Sequence, residues 1–136
     1  MKDMVWGDAL SVAVYEIDED HRKLVKILNT LNHSVAEGQS PTYQAAILDE
    51  LIKCTVLHFS NEERLMLMYG YDEIDEHKAE HQKLIKLFNR TMKLQQEILQ
   101  ADIPVLDEDI EFLERWLTEH ILTADMRLGS YLSQVM

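Results

Sequence analysis

The stretch TYQAAILDELIKCTVLHFSNEERLMLMY, residues 42–69, decides how this chain folds. It contains neither Gly nor Pro, the two strongest helix breakers. Its apolar residues Ile47, Leu48, Leu51, Cys54, Leu65, Met66 and Tyr69 recur mostly in steps of three and four, which places them on one face of a helix. The same stripe carries His58 and, four residues on, Glu62. An unpartnered carboxylate on a buried face is costly, so this helix has a task besides packing.

Working outward, three breaks punctuate the chain: Gly38-Gln39-Ser40-Pro41, Gly70-Tyr71-Asp72 and Ala101-Asp102-Ile103-Pro104. They delimit helices expected at 18–37, 42–69, 73–100 and 105–132, after an N-terminal arm of residues 1–17. The first carries the stripe Leu24, Val25, Leu28, Leu31, Val35. The third carries Ile74, Leu84, Ile85, Phe88, Met92, Leu99. The fourth carries Leu106, Ile110, Leu113, Leu117, Ile121, Leu128, Leu132. Short loops between long helices favour antiparallel neighbours. The expected fold is all-α: an antiparallel up-down-up-down four-helix bundle, one domain over 1–136.

Composition narrows the function. The chain has 136 residues, enough for one core without disulfides, and its single Cys cannot form an internal one. Thirteen Lys+Arg stand against 25 Asp+Glu, a formal charge of −12. Phosphates would be repelled before any specific contact formed, so nucleic acid and anionic membrane are excluded as partners. No apolar run approaches the ~20 residues of a bilayer span, and the N-terminus lacks the apolar core of a signal peptide. A soluble, cytoplasmic monomer is expected.

Five of the six histidines fall on buried faces. His21 precedes Leu24 by three; His58 and Glu62 share the second stripe. His77 and His81 sit between Ile74 and Leu84, and His120 follows Leu117 by three. Asp125 precedes Leu128 by three. His33, about 120° around the first helix from His21, belongs to the solvated face. In antiparallel helices, equal distance from a turn means equal height, at ~1.5 Å per residue. His21 and His58 are about equally far from the first break, and the pairs His58/Glu62 and His77/His81 from the second. His77/His81 and His120/Asp125 are roughly so from the third. All seven side chains therefore converge on one layer of the bundle.

A lone buried histidine is usually a satisfied core residue, but five with two carboxylates are better satisfied through metal. Seven donors are too many for one zinc, and imidazoles mixed with carboxylates suit iron, zinc or copper rather than calcium or magnesium. Two six-coordinate metals, sharing both carboxylates and one oxo or hydroxo bridge, would be left with one open position for a small ligand. Asp125 is the irregular member. Five residues after His120, it would point about 140° away on an ideal helix. Its inward role needs either a local π-bulge within 119–126 or a carboxylate reaching sideways from the neighbouring face.

His21, His58-Phe59-Ser60-Asn61-Glu62, His77-Lys78-Ala79-Glu80-His81 and His120-Ile121-Leu122-Thr123-Ala124-Asp125 resemble the hemerythrin signature H…HxxxE…HxxxH…HxxxxD. The likeness is to the single-domain bacteriohemerythrins and runs from Trp6 to about Tyr131. It implies a non-haem di-iron centre that binds dioxygen reversibly, as a bound hydroperoxide at the open iron, for oxygen transport, storage or delivery. By motif position, His77, His81 and His120 would bind the saturated iron, and His21 and His58 the open one. Glu62 and Asp125 would bridge. The family's apolar oxygen pocket maps onto Leu24, Phe59, Trp116, Leu117 and Ile121, a lining that keeps out water and protons.

Two positions depart from the family pattern: Asp20 stands where relatives often have Gln, and Cys54 where they tend to have Tyr. Either change could alter hydrogen bonding around the ligands. Cys54 is read as a core filler and the Met66–Met68 patch as packing and surface. Two other function classes remain: a di-iron enzyme (oxidase, peroxidase or nitric-oxide reductase) and a sensor of oxygen or iron. Oxygen-rich di-iron enzymes use Glu-x-x-His motifs, and no His here has Glu three residues before it. That favours an oxygen carrier over an enzyme.

Overall fold

A computed structural model describes residues 3–102 and 104–136, apart from the side chains of residues 87, 88, 91 and 92. The expected core positions Phe88 and Met92 lie outside the described residues. Four long rods follow an N-terminal arm: α1 Tyr15–Ala36, α2 Pro41–Met68, α3 Ile74–Ala101 and α4 Asp107–His120. The last rod continues through a π-helical turn, Ile121–Asp125, into α5 Met126–Val135. The first helix thus begins at Tyr15, earlier than the sequence suggests. Among the described residues, no helix is long and apolar enough to cross a membrane.

Local chemistry sets the turns. Ser40 caps α2, its Oγ accepting the Tyr43 amide at 3.2 Å, and Pro41 occupies the first helical position, where its missing N–H is harmless. Gly38 and Gly70 follow α1 and α2 with φ of +67° and +65°, a left-handed conformation that costs other residues a Cβ clash. There the chain reverses: the Gln39 amide returns to the Ser34 carbonyl and the Tyr71 amide to that of Met66, both at 2.9 Å. Gln44 is buried and joins two loops, taking the Val105 amide at 2.8 Å on Oε1 and giving Nε2 to the Gln39 carbonyl.

The core runs the length of the bundle. Leu28, Leu31, Leu48, Leu51, Met66, Ile110, Leu117, Leu128 and Leu132 are fully buried. Each contributes about 1.5–3 kcal/mol relative to exposure. α1 packs on α2 and α4, and α2 on α3. Three expected core residues are corrected: Ile85, Leu99 and Leu106 are about half exposed. The inward line of α3 passes through His81, Leu84 and Ile98, which puts Leu99 roughly 100° off it. Val105, not Leu106, turns inward just ahead of α4.

The arm is tied down rather than loose. Asn29 brackets Met4, its Oδ1 accepting the Met4 amide and its Nδ2 donating to the Met4 carbonyl. Asp18 receives the Val12 amide at 2.9 Å and the Ser11 hydroxyl at 2.6 Å. Val12 then crosses α5 at Gly129, where an added Cβ would stand 2.1 Å from the Val12 carbonyl oxygen. Only glycine admits that approach.

Candidate metal centre

Each rod delivers its polar side chains to the same depth. His21 comes from α1, His58 and Glu62 from α2, His77 and His81 from α3, and His120 from the end of α4. All are at least 95% buried, and His21, Glu62 and Asp125 wholly so. The spacing of four on α2 and on α3 puts each pair on one helix face. Asp125 arrives by a different device. The π-helical turn Ile121–Asp125 widens the helix, so that residues five apart share a face, and Asp125 turns inward beneath His120. Thr123 Oγ1 donates to the Glu119 carbonyl at 2.7 Å beside that irregular turn.

The converging atoms sort into two overlapping sets. Glu62, His77, His81, His120 and Asp125 form one; His21, His58, Glu62 and Asp125 form the other, with the donor atoms of each within 4.8 Å of one another. The two carboxylates belong to both. Asp125 divides its oxygens between them. Oδ2 lies 2.8 Å from His21 Nε2 and 3.5 Å from His58 Nε2, whereas Oδ1 lies 3.1 Å from His120 Nε2 and 3.3 Å from His77 Nε2. Glu62 Oε1 stands 2.9 Å from His81 Nε2, 3.4 Å from His58 and 3.5 Å from His77.

The electrostatics of this cluster attract positive charge. Burial opposes protonation of His58, yet the Glu62 charge and the bonds to Asp125 and Asp20 overcome it and push its pKa up to about 10. Burial is likewise outweighed at His77 and His120, where Asp125 and Glu62 raise both to about 9. His81 goes the other way, lowered chiefly by burial. Burial and Asp125 disfavour charge on Glu62, but the surrounding imidazoles hold it near about 2, and Asp125 well below the usual carboxylate range. Two buried anions ringed by imidazoles recruit cations, and protons take that role when no metal does.

Protons alone leave the cluster poorly satisfied. Nε2 of His77 and of His120, Oε2 of Glu62 and Oδ1 of Asp125 are buried without a hydrogen-bond partner. His21 Nε2 and His58 Nε2 face each other at 3.1 Å. Five inward Nε2 atoms around two shared carboxylates are a donor set for metal, and for two ions rather than one. The residues therefore fit a pair of metal ions, and the mixture of imidazole and carboxylate suits a non-haem di-iron centre.

The sequence-derived neighbours fall as follows. Leu24, Phe59, Trp116, Leu117 and Ile121 are all buried. Phe59 stacks on His81 with ring centroids 4.1 Å apart, and the Trp116 ring lies parallel to His120 at 6.5 Å. Phe59 also tilts against His58 at 5.9 Å, so its ring borders both sets. His33 stays outside, 59% exposed and paired with Asp3 at 2.6 Å. Cys54 is half-buried and its thiol pKa is raised, first by burial, so it remains a protonated filler. Met66 is buried and Met68 exposed.

Two contacts were not foreseen. Asp20 Oδ2 accepts from His58 Nδ1 and from Asn61 Nδ2, both at 3.2 Å. Tyr71, buried with its ring 6.5 Å from His77, donates its hydroxyl to Glu73 at 2.9 Å. The first had a signal: Asp20 and His58 lie equally far from the turn near residue 39, so the equal-height argument applies to them too. Tyr71 sits in a turn and has no periodic pattern to mark it.

The family described as "Hemerythrin HHE cation binding domain" matches residues 12–132. The chain is 34% identical over 125 residues to a bacteriohemerythrin of Pseudomonas paraeruginosa, covering 92% of this chain and 78% of that protein. A bacteriohemerythrin of Stenotrophomonas maltophilia is 33% identical over 97% of this chain and 81% of its own length. The crystal structure of a wild-type hemerythrin superposes with a TM-score of 0.82 at 31% identity, covering 96% of this chain and 98% of that one. The matched span takes in every one of the converging imidazoles and both carboxylates, within a bundle that overlays a hemerythrin nearly end to end. This chain belongs to the hemerythrin family.

Proposed function

We propose that this chain, as one hemerythrin-like domain over residues 1–136, binds dioxygen reversibly at a non-haem di-iron centre, as an oxygen carrier, store or delivery protein. The observation that carries this reading is the asymmetric pair of donor sets sharing Glu62 and Asp125, one with an imidazole fewer than the other. His77, His81 and His120 would hold one iron and His21 and His58 the other, with Glu62 and Asp125 common to both. An iron pair held there would supply the electrons that reversible dioxygen binding requires.

The chain's own residues do the rest. Five imidazoles and two carboxylates fix the centre from every rod, which limits rearrangement as oxygen enters and leaves. Leu24, Leu117 and Ile121, each no more than 1% exposed, would line the oxygen pocket with Phe59 and Trp116. Such a lining excludes the water and protons that promote irreversible oxidation. The donor set holds five imidazoles against two carboxylates, which supports a carrier over an oxygen-rich di-iron enzyme. The charge of −12 supports a protein that stays apart from nucleic acid and anionic membranes, read here as a cytoplasmic monomer.

Anaerobic reconstitution with ferrous iron, metal analysis and repeated cycling between oxygen and argon test the proposal. The expected result is about two irons per chain and an oxygen-dependent visible absorption that disappears under argon and returns with oxygen. A spectrum that changes once and does not return would reject reversible binding.

A further inference from the structure

His58 differs from His21, His81 and His120 in what its outer nitrogen does. Its Nδ1–H donates to Asp20 Oδ2 at 3.2 Å, whereas Nδ1 of His21, His81 and His120 is buried with no hydrogen-bond partner. The contact joins α1 to α2, and the same carboxylate oxygen accepts Asn61 Nδ2, one turn further along α2. Asp20 is screened from solvent, with its side chain 18% exposed. The one carboxylate aimed at an outer imidazole nitrogen among these contacts thus serves the set with fewer imidazoles.

A hydrogen bond of this kind has two effects. It keeps the proton on Nδ1, which fixes the tautomer and leaves the Nε2 lone pair for metal. It also fixes the ring plane and makes Nε2 a stronger donor, because the carboxylate draws the Nδ1 proton towards itself. His58 Nε2 is the atom that faces Glu62 and Asp125.

We infer that Asp20 is a positioning residue for the oxygen-binding half of the centre: through His58 it orients the ring and makes the iron held there easier to oxidise, strengthening oxygen binding. This inference rests on the reading of the His21/His58 set as the oxygen-binding half. Asparagine keeps an acceptor oxygen of the same reach and removes the charge, so Asp20→Asn isolates the electrostatic effect. Asp20→Ala removes the hydrogen bond as well. A residue that merely ties α1 to α2 would leave the potential of Asp20→Asn unchanged.

Wild type, Asp20→Asn and Asp20→Ala are compared in two forms. In zinc-loaded, 15N-labelled protein the His58 Nδ1–H resonance is expected downfield in wild type, shifted upfield in Asp20→Asn and lost to solvent exchange in Asp20→Ala. In iron-loaded protein Asp20→Asn is expected to raise the midpoint potential and weaken oxygen binding several-fold. Asp20→Ala is expected to lower the affinity for the second iron about 10-fold. An Asp20→Asn potential at or below the wild-type value overturns the inference, as does a His58 Nδ1–H resonance unchanged in Asp20→Ala. If Asp20→Ala does not fold, Asp20→Asn alone decides. A wild-type chain that takes up iron without reversible oxygen binding would sink the proposed function instead, while the resonance and the potential still report on Asp20.

Discussion

Replacing His58 by alanine separates the two halves of the centre. His58 is one of four side chains in the set with His21, Glu62 and Asp125, and it is absent from the set of five. The variant keeps the five-donor set whole and leaves the other with three. Each bound iron stabilises the folded state by mass action, by about 2.7 kcal/mol when free metal is 100-fold above its dissociation constant. For a domain of this size that is roughly 10 °C in Tm. The quantity to measure is the rise in Tm on loading, because truncating His58 also strips a cation from its neighbours, Glu62 at 3.4 Å and Asp125 at 3.5 Å, even without metal. His58→Ala should therefore retain about one iron per chain and lose about 10 °C of the loading increment. His81→Ala, which leaves the set of five with four donors and the set of four intact, should lose less. Iron titration followed by thermal unfolding, each against its own metal-free control, gives both numbers. Two irons retained by His58→Ala, or both lost together at one affinity, would refute the division into two sets.

Gly129→Ala forces a Cβ to within 2.1 Å of the Val12 carbonyl oxygen, so arm and α5 must part. Overpacking at about 1–3 kcal/mol should outweigh the ~1 kcal/mol gain in helix propensity. Chemical denaturation should show a net loss, and an unchanged midpoint would contradict the close approach. In metal-free protein, His58, His77 and His120 have pKa values raised from 6.5 to about 10, 9 and 9. Their contribution to stability is complete below pH 6.5 and lost as pH rises through 9 to 10. Glu62 and Asp125, held low, contribute above their ordinary range and lose that contribution as pH falls towards 2. The Tm of the metal-free protein should thus peak in mildly acidic solution and fall towards pH 10; a rise between pH 7 and 10 would count against it. Phe59→Leu, a mild truncation of the ring stacked on His81, should shorten the lifetime of the oxygenated form, read as decay of its visible absorption. A lifetime equal to wild type would remove Phe59 from the shielding.

Legibility in the sequence followed periodicity. Residues 42–69 announce a helix because nothing in them breaks one and their apolar residues repeat at helical spacing. The pairs His58/Glu62 and His77/His81 share a face by spacing alone. The irregularity at Asp125 was legible as a choice between a π-bulge and a carboxylate reaching sideways, and the structure has a π-helical turn over Ile121–Asp125. Ile85, Leu99 and Leu106 were misread because an apolar residue next to an inward one differs from it by roughly 100°, and spacing tolerates that error over a long helix. The arm shows no period, so its docking along α1 and under Gly129 was invisible.

By itself the sequence determined four helical rods, the depth at which their imidazoles and carboxylates meet, and the resemblance those residues bear to one family. Height along a helix follows from counting residues, at ~1.5 Å each, so the layer needs no coordinates. Rotation about each rod, and the direction of individual oxygens and nitrogens, depend on how neighbouring rods pack. Only the tertiary structure decided that Asp125 points Oδ2 at His21 and Oδ1 at His120. It alone set Phe59 flat against His81 and brought Asp20 across from α1 to the outer nitrogen of His58. Apart from His120 with Asp125, those are contacts between residues far apart in the chain, and no spacing within one helix encodes them.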